Sequence, residues 1–301
     1  MKIFAIIVTY NGYKWYDRCF RSLRNSSIPI QIIVIDNAST DDTVSYIKKN
    51  YSEVILVESD KNLGFGKANN IGLKYVLERG FDYVFLLNQD AWVMPDTIEK
   101  LCYQMQQHPE YGILSPIHLN GTEKELDLNF SNYINAQSCP YLISDCIVSG
   151  KSKDKIYPVE FVNAALWLVS KSCMEKIGGF CPLFPHYGED SDYVARLSYH
   201  KLKIGIYPLV YGVHDRPQGF SEMNKLQYEK QYYISLLVRL CNINNSFFYS
   251  FSVLFWSFFL RIIHMQITLT YIKNWIKLFC SITKIIRHRK IAKEKNPIYI
   301  S

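Results

Sequence analysis

The chain has 301 residues, of which 49% are hydrophobic and 20% are charged, so it can bury a large core and is not a disordered protein. Its net charge is +7, and nine Lys and Arg residues fall within residues 261–295 beside a single Glu. This localised charge indicates an anionic surface as partner and argues against a general nucleic-acid binder. The eight cysteines include no CxxC pair, which excludes a zinc ribbon and a compact disulfide framework and predicts reduced thiols in a cytoplasmic protein.

The first 110 residues alternate strand-like and helix-like segments, the pattern of βαβ units on a mostly parallel sheet. The apolar run at the N-terminus is too short for a signal peptide and is interpreted as the first strand. The predicted strands are Ile3–Thr9, Gln31–Asp36, Val54–Glu58 and Tyr83–Leu87. The predicted helices are Tyr13–Asn25, Asp41–Asn50, Lys67–Arg79 and a fourth helix that follows Pro95.

Asp90 lies between two apolar runs in the segment VFLLNQDAWVMP (84–95). A carboxylate at the end of a buried strand is costly unless it is paired, hydrogen-bonded or bound to a cation. Ligands of such sheets bind beyond the carboxyl ends of the strands. Three polar clusters fall at predicted strand ends, namely Thr9-Tyr10-Asn11, Asp36-Asn37 and Asn88-Gln89-Asp90. We therefore expect the partner of Asp90 to be a bound ligand or its metal ion.

The segment NLGFGKANN (62–70) contains a Gly-x-Gly pair. It differs from a dinucleotide-binding fingerprint, because Asn69 replaces the third glycine and the motif does not follow the first strand. A glycine-permitted turn that opens a helix explains the pair. Lys67 and the free N–H groups of this turn can approach the phosphates of a different nucleotide ligand.

The second half holds an acidic cluster and a candidate histidine. Residues 159–172 are predicted to form a buried strand that enters a helix, and HYGEDSDYVARL (186–197) a loop that meets another helix. Glu189, Asp190 and Asp192 crowd the start of that helix. Acids in a first turn also satisfy free N–H groups, so the cluster has a purely structural explanation as well. His214 follows another strand-like run.

Residues 227–301 extend past these motifs. Phe247–Leu260 is an aromatic-rich run of 14 residues, shorter than the roughly 20 residues that a helix needs to span a bilayer. An apolar stripe at helical spacing follows, formed by Ile272, Trp275, Ile276, Phe279, Ile282 and Ile286. The stripe predicts a basic amphipathic segment on an anionic inner leaflet. The alternative is a helical hairpin packed on the preceding domain, with its basic residues solvated.

The order of these motifs resembles glycosyltransferase family 2, the nucleotide-sugar enzymes with the GT-A fold. The matching elements are IIVTYN (6–11), VIDNASTDDT (34–43), NLGFGKANNIGL (62–73), LLNQDAWVMPD (86–96), GGFCPLFPHYGEDSDYVARL (178–197) and VHD (213–215). The sequence looks closest to the bacterial rhamnosyltransferase-like enzymes of surface polysaccharide synthesis. The resemblance implies an α/β, Rossmann-like, mostly parallel central sheet flanked by helices, with a C-terminal helical extension.

The resemblance also implies a division of the chain and a donor site. Residues 1–110 would bind the nucleotide sugar, 111–226 would hold the acceptor and the catalytic acids, and 227–301 would associate with the membrane. Thr9, Asn11 and Asp36 fall where the family contacts the base and ribose. Lys67 and Asn70 fall beside the nucleotide.

Asp90 matches the last acid of the family's DxD motif, which holds Mn²⁺ or Mg²⁺ on the diphosphate. His214 matches a histidine that often completes this site, and oxygen and imidazole ligands suit these ions. Asn88 departs from the motif, which usually has an acid there. Its amide can hydrogen-bond the ribose but brings no charge, so a weaker metal affinity is expected.

The acidic cluster matches the family's ED motif, in which Asp190, beside Glu189, acts as the general base. Spacing by itself does not choose among Glu189, Asp190 and Asp192. The implied reaction is a single in-line displacement that inverts the anomeric carbon, with a cation on the leaving diphosphate. The implied partners are a nucleotide-diphosphate sugar, a saccharide acceptor on a polyprenyl lipid, and the cytoplasmic face of the cell membrane, without nucleic acid.

Three other functions fit the sequence less well. A processive polysaccharide synthase is disfavoured, because the chain has no QxxRW motif and no array of long apolar helices. A nucleotidyltransferase would need a basic phosphate loop near the first strand, where this chain has Asn11-Gly12-Tyr13. An inactive carbohydrate-binding or scaffold protein would have lost the acids; Asn88 favours it, whereas the acids Asp90, Glu189 and Asp190 argue against it.

Overall fold

The computed structural model describes residues 1–217, 225–264 and 268–300. Its strands are β1 (Ile3–Thr9), β2 (Gln31–Asp36), β3 (Ile55–Glu58), β4 (Tyr83–Asn88), β5 (Ala91–Val93), β6 (Tyr111–Leu119), β7 (Tyr157–Pro158), β8 (Leu166–Ser170) and β9 (Lys203–His214). Its helices are α1 (Tyr16–Arg24), α2 (Thr43–Asn50), α3 (Phe65–Arg79), α4 (Thr97–Gln107), α5 (Leu128–Ser131), α6 (Leu142–Ser149), α7 (Lys171–Ile177), α8 (Glu189–Tyr199), α9 (Lys225–Cys241), α10 (Phe247–Ile263) and α11 (Leu269–Ile291).

The strands form one sheet in the order β3-β2-β1-β4-β8-β6-β9-β5, and β7 pairs with β9 beside this path. Strands β1 to β4 are parallel, and β6 runs parallel to β9. Strand β8 joins β4 to β6 by antiparallel pairing on both sides. Strands from both predicted halves of the catalytic region therefore share one sheet. The predicted α/β architecture with flanking helices and C-terminal helices is confirmed.

Both faces of the sheet are covered, which explains the unbroken apolar runs of its strands. Along β1, Phe4 and Ile6 pack into one core cluster, while Ala5 and Ile7 pack into a second cluster on the opposite face. Successive side chains of a strand point to opposite faces, so a strand buried on both sides shows no polar alternation. The predicted strands of the first half agree with the structure to within one residue.

Several predicted boundaries differ from the structure: the helix expected at Tyr13–Asn25 is a 3₁₀ turn followed by α1 from Tyr16, and α3 begins at Phe65 and not at Lys67. Helix α2 begins at Thr43 and not at Asp41, because the Asp41 carboxylate lies outside the helix and accepts the N–H of Thr43 at 3.1 Å. The strand expected over 159–172 is restricted to β8, and α7 starts directly after it. Residues 163–165 instead line the central cavity, so the chain bends there before it enters the sheet.

The C-terminal helices pack on one another around a third apolar cluster that includes Leu237, Leu240, Trp275 and Leu278. The prediction that the apolar stripe on α11 forms a single face is wrong. Trp275 is buried, whereas other stripe members are exposed, namely Ile272, Ile276, Phe279 and Ile286. Arg289, one of the nine clustered basic residues, is also buried, and it donates hydrogen bonds to the carbonyls of residues 240, 242 and 245.

Candidate active site

The carboxyl ends of β1, β2 and β4 meet at one edge of the sheet, as predicted. In the strand register, Thr9 stands opposite Asp36, and Val8 stands opposite Asn88. A cavity of about 950 Å³ lies at this edge. Of the predicted site residues it contains Lys67, Asn88, Asp90, Glu189, Asp190 and His214. The fold therefore brings the predicted metal and catalytic residues to one cavity, together with two of the six predicted nucleotide-binding residues; Thr9, Asn11, Asp36 and Asn70 are not among its lining residues.

Thr9 and Asp36 are both buried and bind each other beneath the cavity. The Thr9 hydroxyl donates to Asp36 Oδ1 at 2.9 Å, and the Ser39 N–H donates to Asp36 Oδ2 at 2.9 Å. The carboxylate thus fixes the loop that follows β2 to the end of β1. Asn11 has a positive φ of 47° and accepts the Thr40 N–H at 2.8 Å, so it holds the same loop from above.

Asn70 does not line the cavity. Its amide nitrogen donates to the Phe180 carbonyl at 2.8 Å, and its oxygen accepts the Phe180 N–H at 2.7 Å. Both polar groups of the side chain are therefore used to fasten the turn at residues 178–180 to α3. In contrast, Lys67, one turn earlier on α3, is a lining residue.

The turn before α3 is the glycine-permitted turn predicted at residues 62–70, and it depends on Asn37 and Gly64. Asn37 accepts the Leu63 N–H at 2.8 Å and donates to Asn62 Oδ1 at 3.1 Å. Gly64 has a φ of 79°, and a Cβ there would clash with the carbonyl oxygen of Pro185. Only glycine fits this close approach. The turn is thus fixed to β2 on one side and to the segment before α8 on the other.

Asp90 and His214 lie together in the cavity, as the resemblance implied. Nε2 of His214 lies 3.5 Å from Oδ1 of Asp90 and 3.4 Å from Nδ2 of Asn88. Strand β5 follows Asp90 directly and pairs antiparallel with β9, which places Ala91 opposite His214. The Asp215 N–H donates to the Asp90 carbonyl at 2.8 Å, and this contact closes the turn.

The donor set at this point fits a divalent cation. Asn88 Oδ1 is buried and has no hydrogen-bond partner within the described residues, and Nε2 is the His214 nitrogen that faces Asp90. A carboxylate, an amide oxygen and an imidazole are ligands that Mg²⁺ and Mn²⁺ accept. Gln89, the middle residue of the motif, points elsewhere and pairs with the backbone of Tyr10 through both ends of its amide.

The first turn of α8 brings Glu189 and Asp190 to the same cavity. Gly188 precedes them at a φ of 88°, and no side chain caps the helix. Burial, reinforced by the charge of Asp190, raises the pKa of Glu189 to about 7. Burial also raises the pKa of Asp190, although its carboxylate accepts the Ser191 N–H at 2.8 Å. Raised carboxyl pKa values are typical of catalytic acids and bases.

The third acid of the cluster does not face the cavity. Asp192 is 2% exposed and lies between the side chains of Arg196 and His288. Its pKa is lowered, because these two cations outweigh the opposing effect of burial. Of the three acids that spacing left open, only Glu189 and Asp190 line the cavity.

Tyr10, from the predicted cluster at the end of β1, also lines the cavity, and other lining residues were missed by the sequence analysis: Tyr133, Asn163, His186, Tyr187, Arg216 and Lys230. Arg216, two residues after His214, donates from Nε to Asp127 Oδ2 at 2.7 Å. Its closeness to the histidine in sequence was a usable signal. Lys230 comes from α9, so the C-terminal helices contribute to the cavity, and no local pattern indicated this.

Residues 4–156 match the family model described as glycosyl transferase family 2. The low-salt glycan biosynthesis hexosyltransferase Agl10 of Haloferax volcanii is 24% identical over 207 residues, which cover 68% of this chain and 64% of that protein. The N-acetylglucosaminyl-diphospho-decaprenol L-rhamnosyltransferase of Mycobacterium tuberculosis is 25% identical over 219 residues, which cover 64% and 69%. The chain thus spans less than two thirds of the first relative's length.

Among solved structures, the mannosyltransferase PcManGT from Pyrobaculum calidifontis, in complex with GDP-Man and Mn²⁺, has the same fold. The TM-score is 0.55 at 17% sequence identity, and the match covers 80% of this chain and 62% of that one. The family model spans half of the chain, and the observed α/β sheet agrees with the fold that the motifs implied. The chain belongs to glycosyl transferase family 2, with the GT-A fold and a rhamnosyltransferase among its relatives.

Proposed function

We propose that this protein is an inverting glycosyltransferase that moves a sugar from a nucleotide-diphosphate sugar to a hydroxyl of a saccharide acceptor. One observation carries the proposal: two carboxyls with raised pKa values and the Asp90–His214 pair line the same cavity. A base for the acceptor and ligands for the donor's diphosphate are thus available at the same place.

Asp190 is the general base of the proposed reaction. It is partly exposed, whereas Glu189 is almost fully buried, so Asp190 is better placed to meet an entering hydroxyl. Its carboxylate removes the proton of the acceptor hydroxyl as the hydroxyl oxygen attacks the anomeric carbon and the bond to the diphosphate breaks. A single displacement of this kind inverts the anomeric carbon.

The donor diphosphate would lie on the opposite side of the cavity. Asp90, Asn88 and His214 would hold the divalent ion, Mn²⁺ or Mg²⁺, which neutralises charge on the departing nucleoside diphosphate when bound. Lys67 lies near enough to the same cavity to contact a phosphate. Thr9, Asn11 and Asp36 shape the loop against which the base and ribose would lie, and Asn70 supports α3 from behind.

The acceptor is proposed to be a saccharide on a polyprenyl lipid in cell-surface polysaccharide synthesis. The name of the mycobacterial relative, a rhamnosyltransferase acting on a diphospho-decaprenol saccharide, supports this class of acceptor. A second support is the apolar surface of α10 and α11, where Trp256, Ile263, Ile276 and Phe279 are exposed. Lys273, Lys277 and Lys284 are exposed on α11 beside it. In the described ranges of the chain, no helix has the length and apolarity to cross a bilayer.

We further propose that this surface holds the protein on the cytoplasmic face of the cell membrane. Each basic residue near an anionic leaflet adds about 1 kcal/mol, and inserted aromatic side chains add apolar burial. The exposed residues of the α11 stripe and the lysines beside them suit this role, whereas Trp275 and Arg289 are buried and pack against the other helices. The division of the chain into 1–110, 111–226 and 227–301 remains part of this proposal.

The donor is tested by a thermal-shift screen against dTDP-, UDP- and GDP-sugars with and without Mn²⁺, since a bound ligand raises the melting temperature by mass action. Transfer to a saccharide acceptor is then measured with the donor that binds. The Asp190→Asn variant should lose turnover while its donor affinity stays within about threefold, because the base acts only on the acceptor. Retained turnover would contradict the role of Asp190. The absence of any wild-type transfer would favour an inactive binding protein.

Membrane attachment is tested by co-sedimentation of the full chain with neutral and anionic vesicles at low and high salt. Truncation is unsuitable, because it would uncover the apolar cluster that α9 shares with α11. The variant Trp256→Glu removes an aromatic side chain that is 60% exposed, and Tyr103→Glu on α4, at 58% exposure, is its matched control. Loss of sedimentation in Trp256→Glu alone is expected. Equal sedimentation of both variants, or no preference for anionic lipid, would favour the packed hairpin.

A further inference from the structure

Helix α8 has a second polar cluster on the side turned away from the cavity. Arg196 and Asp192 form a fully buried ion pair, with Nε 2.9 Å from Oδ2. The two remaining nitrogens of Arg196 donate to the carbonyls of Ile177 at 2.8 Å and Gly179 at 2.7 Å. The guanidinium therefore fastens α8 to the end of α7 and to the turn that follows it.

His288 brings the C-terminal extension into this cluster. Its Nε2 lies 2.8 Å from Oδ1 of Asp192, and its Nδ1 lies 2.5 Å from the hydroxyl oxygen of Tyr299. Both ring nitrogens thus lie close to an oxygen: Nδ1 is hydrogen-bonded to the Tyr299 hydroxyl, whereas the contact of Nε2 with Asp192 is an ion pair without hydrogen-bond geometry. The cluster thus joins α8 to α11 across 96 residues of sequence. A buried acid that is paired on both sides has little freedom to move.

The same cluster reaches the donor side of the cavity. Arg196 holds the carbonyl of Gly179, and the next residue, Phe180, is fixed to Asn70 of α3 by two backbone hydrogen bonds. Helix α3 also carries the lining residue Lys67. A continuous set of hydrogen bonds and ion pairs therefore connects α3, the turn at 178–180, α8 and α11.

A bound metal ion is the other explanation of this cluster. One ligand atom from each of Cys181, Asp192 and His288 lies within 4.8 Å of the other two. However, Arg196 already presents its positive charge to Asp192, and a divalent cation beside it would be repelled. The buried guanidinium and imidazolium neutralise the carboxylate without a metal ion.

The first turn of α8 needs external support. No side chain caps it, and Glu189 and Asp190 are adjacent acids in a setting that disfavours their charge. Oε2 of Glu189 is buried, and no described group hydrogen-bonds it. The turn is held in part where Gly188 lies against α9 and where the Ala164 backbone hydrogen-bonds Asp190, and in part by contacts farther along the helix. Asp192 is the nearest residue that supplies them.

We propose that Asp192 and His288 are a positioning pair that holds the first turn of α8, and with it the Asp190 carboxylate, at the acceptor side of the cavity. This inference rests on the proposed function of Asp190. It makes the C-terminal helices part of the catalytic apparatus as well as a membrane-facing surface. Misplacement of a reacting group by about 1 Å costs on the order of 100-fold in rate.

The kinetic test compares His288→Gln with wild type in the full-length protein. Glutamine keeps a hydrogen-bonding side chain but removes the positive charge that faces Asp192. We expect kcat to fall roughly 10- to 100-fold while donor KM stays within about threefold, because the substitution leaves intact the Arg196 contacts through which the cluster reaches α3. His264→Gln, an exposed histidine at the end of α10, is the matched control and should leave kcat unchanged.

A second measurement does not depend on activity. Hydrogen exchange of the amides in residues 186–197 should speed up roughly tenfold or more in His288→Gln, as local opening becomes easier, and should not change in His264→Gln. Unchanged exchange and unchanged kcat in His288→Gln would overturn the pairing. A loss of kcat that only matches the unfolded fraction at the assay temperature would also overturn it.

The two proposals fail in different ways. If wild type transfers no sugar but exchange in 186–197 responds to His288→Gln, the positioning role stands and the catalytic function is contradicted. If wild type is active and His288→Gln changes neither kcat nor exchange, the positioning pair alone is contradicted. If a metal ion occupied the cluster, EDTA would lower the melting temperature of Asp90→Ala, which lacks the other proposed site. That result would replace the ion pair with a metal site.

Discussion

Replacing His288 by glutamine should change how the free energy of unfolding depends on pH. Burial opposes the charge on His288, but Asp192 outweighs it and raises the pKa from 6.5 to about 9. One pKa unit corresponds to about 1.4 kcal/mol, so the protonated imidazole contributes about 3 kcal/mol to stability. Because the folded-state pKa is the higher one, this contribution is complete below pH 6.5 and is lost as the pH rises through 9.

The groups that face His288 from every neighbouring element are Asp192 and Arg196 on α8, Cys181 before α8, and Tyr299 near the C-terminus. Burial raises the pKa of Tyr299 far above this pH range, and Arg196 stays charged. Asp192 has a lowered pKa and is ionised throughout. His288 therefore changes its charge between pH 6.5 and 9, whereas Asp192, Arg196 and Tyr299 keep theirs.

The assay is urea unfolding at half-unit pH steps from 6 to 9.5, with wild type, His288→Gln and the exposed control His264→Gln. The stability difference between wild type and His288→Gln should shrink by about 3 kcal/mol from pH 6 to 9.5. The difference between wild type and the control should stay constant. Parallel pH curves for wild type and His288→Gln would refute the reasoning, because they would mean that His288 is neutral in the folded protein.

Three further predictions concern the site and the core. Asp90→Ala and His214→Ala should each weaken Mn²⁺-dependent nucleotide binding in calorimetry, with Asp90→Ala the more severe because it also removes a charge; wild-type activity that survives EDTA would contradict the metal site. Glu189→Gln should raise the free energy of unfolding by up to about 3 kcal/mol at pH 8 but not at pH 4.5. The reason is that buried Glu189 becomes charged only as the pH rises through about 7, and glutamine avoids that unfavourable charge; equal effects at both pH values would count against this. Leu278→Ala should destabilise by about 2–5 kcal/mol, whereas the exposed Ile276→Ala on the same helix should change stability by less than about 0.5 kcal/mol, and equal losses would contradict the packing of α11.

The first four strands were predictable because their signals are local. Each is a short apolar run ended by polar residues, and a strand covered on both faces tolerates no polar alternation. The acidic and amide side chains at the strand ends followed from the same pattern, since parallel strands end at one edge. Asp90 and His214 were assigned by motif, and β5 pairing with β9 places them together.

The partners of several side chains were not predictable. Asn70 was assigned to the nucleotide, yet its amide is used by the backbone of Phe180, 110 residues away. The stripe on α11 was assigned to one face, yet the rotation of the helix against α9 buries Trp275 and exposes Ile276. Lys230 reaches the cavity only because α9 packs beside Gly188.

The sequence by itself determined the α/β class, the succession of strands and helices in the first half, the family and the chemical types of the site residues. The spacing of hydrophobic residues shows over a few neighbouring positions, so a single segment is enough to predict a strand or a helix. Only the tertiary structure decided which acids of the 189–192 cluster face the cavity. That choice depends on the rotation of α8, which is set by contacts of Asp192 and Arg196 with segments distant in sequence, and such contacts form only when the chain packs.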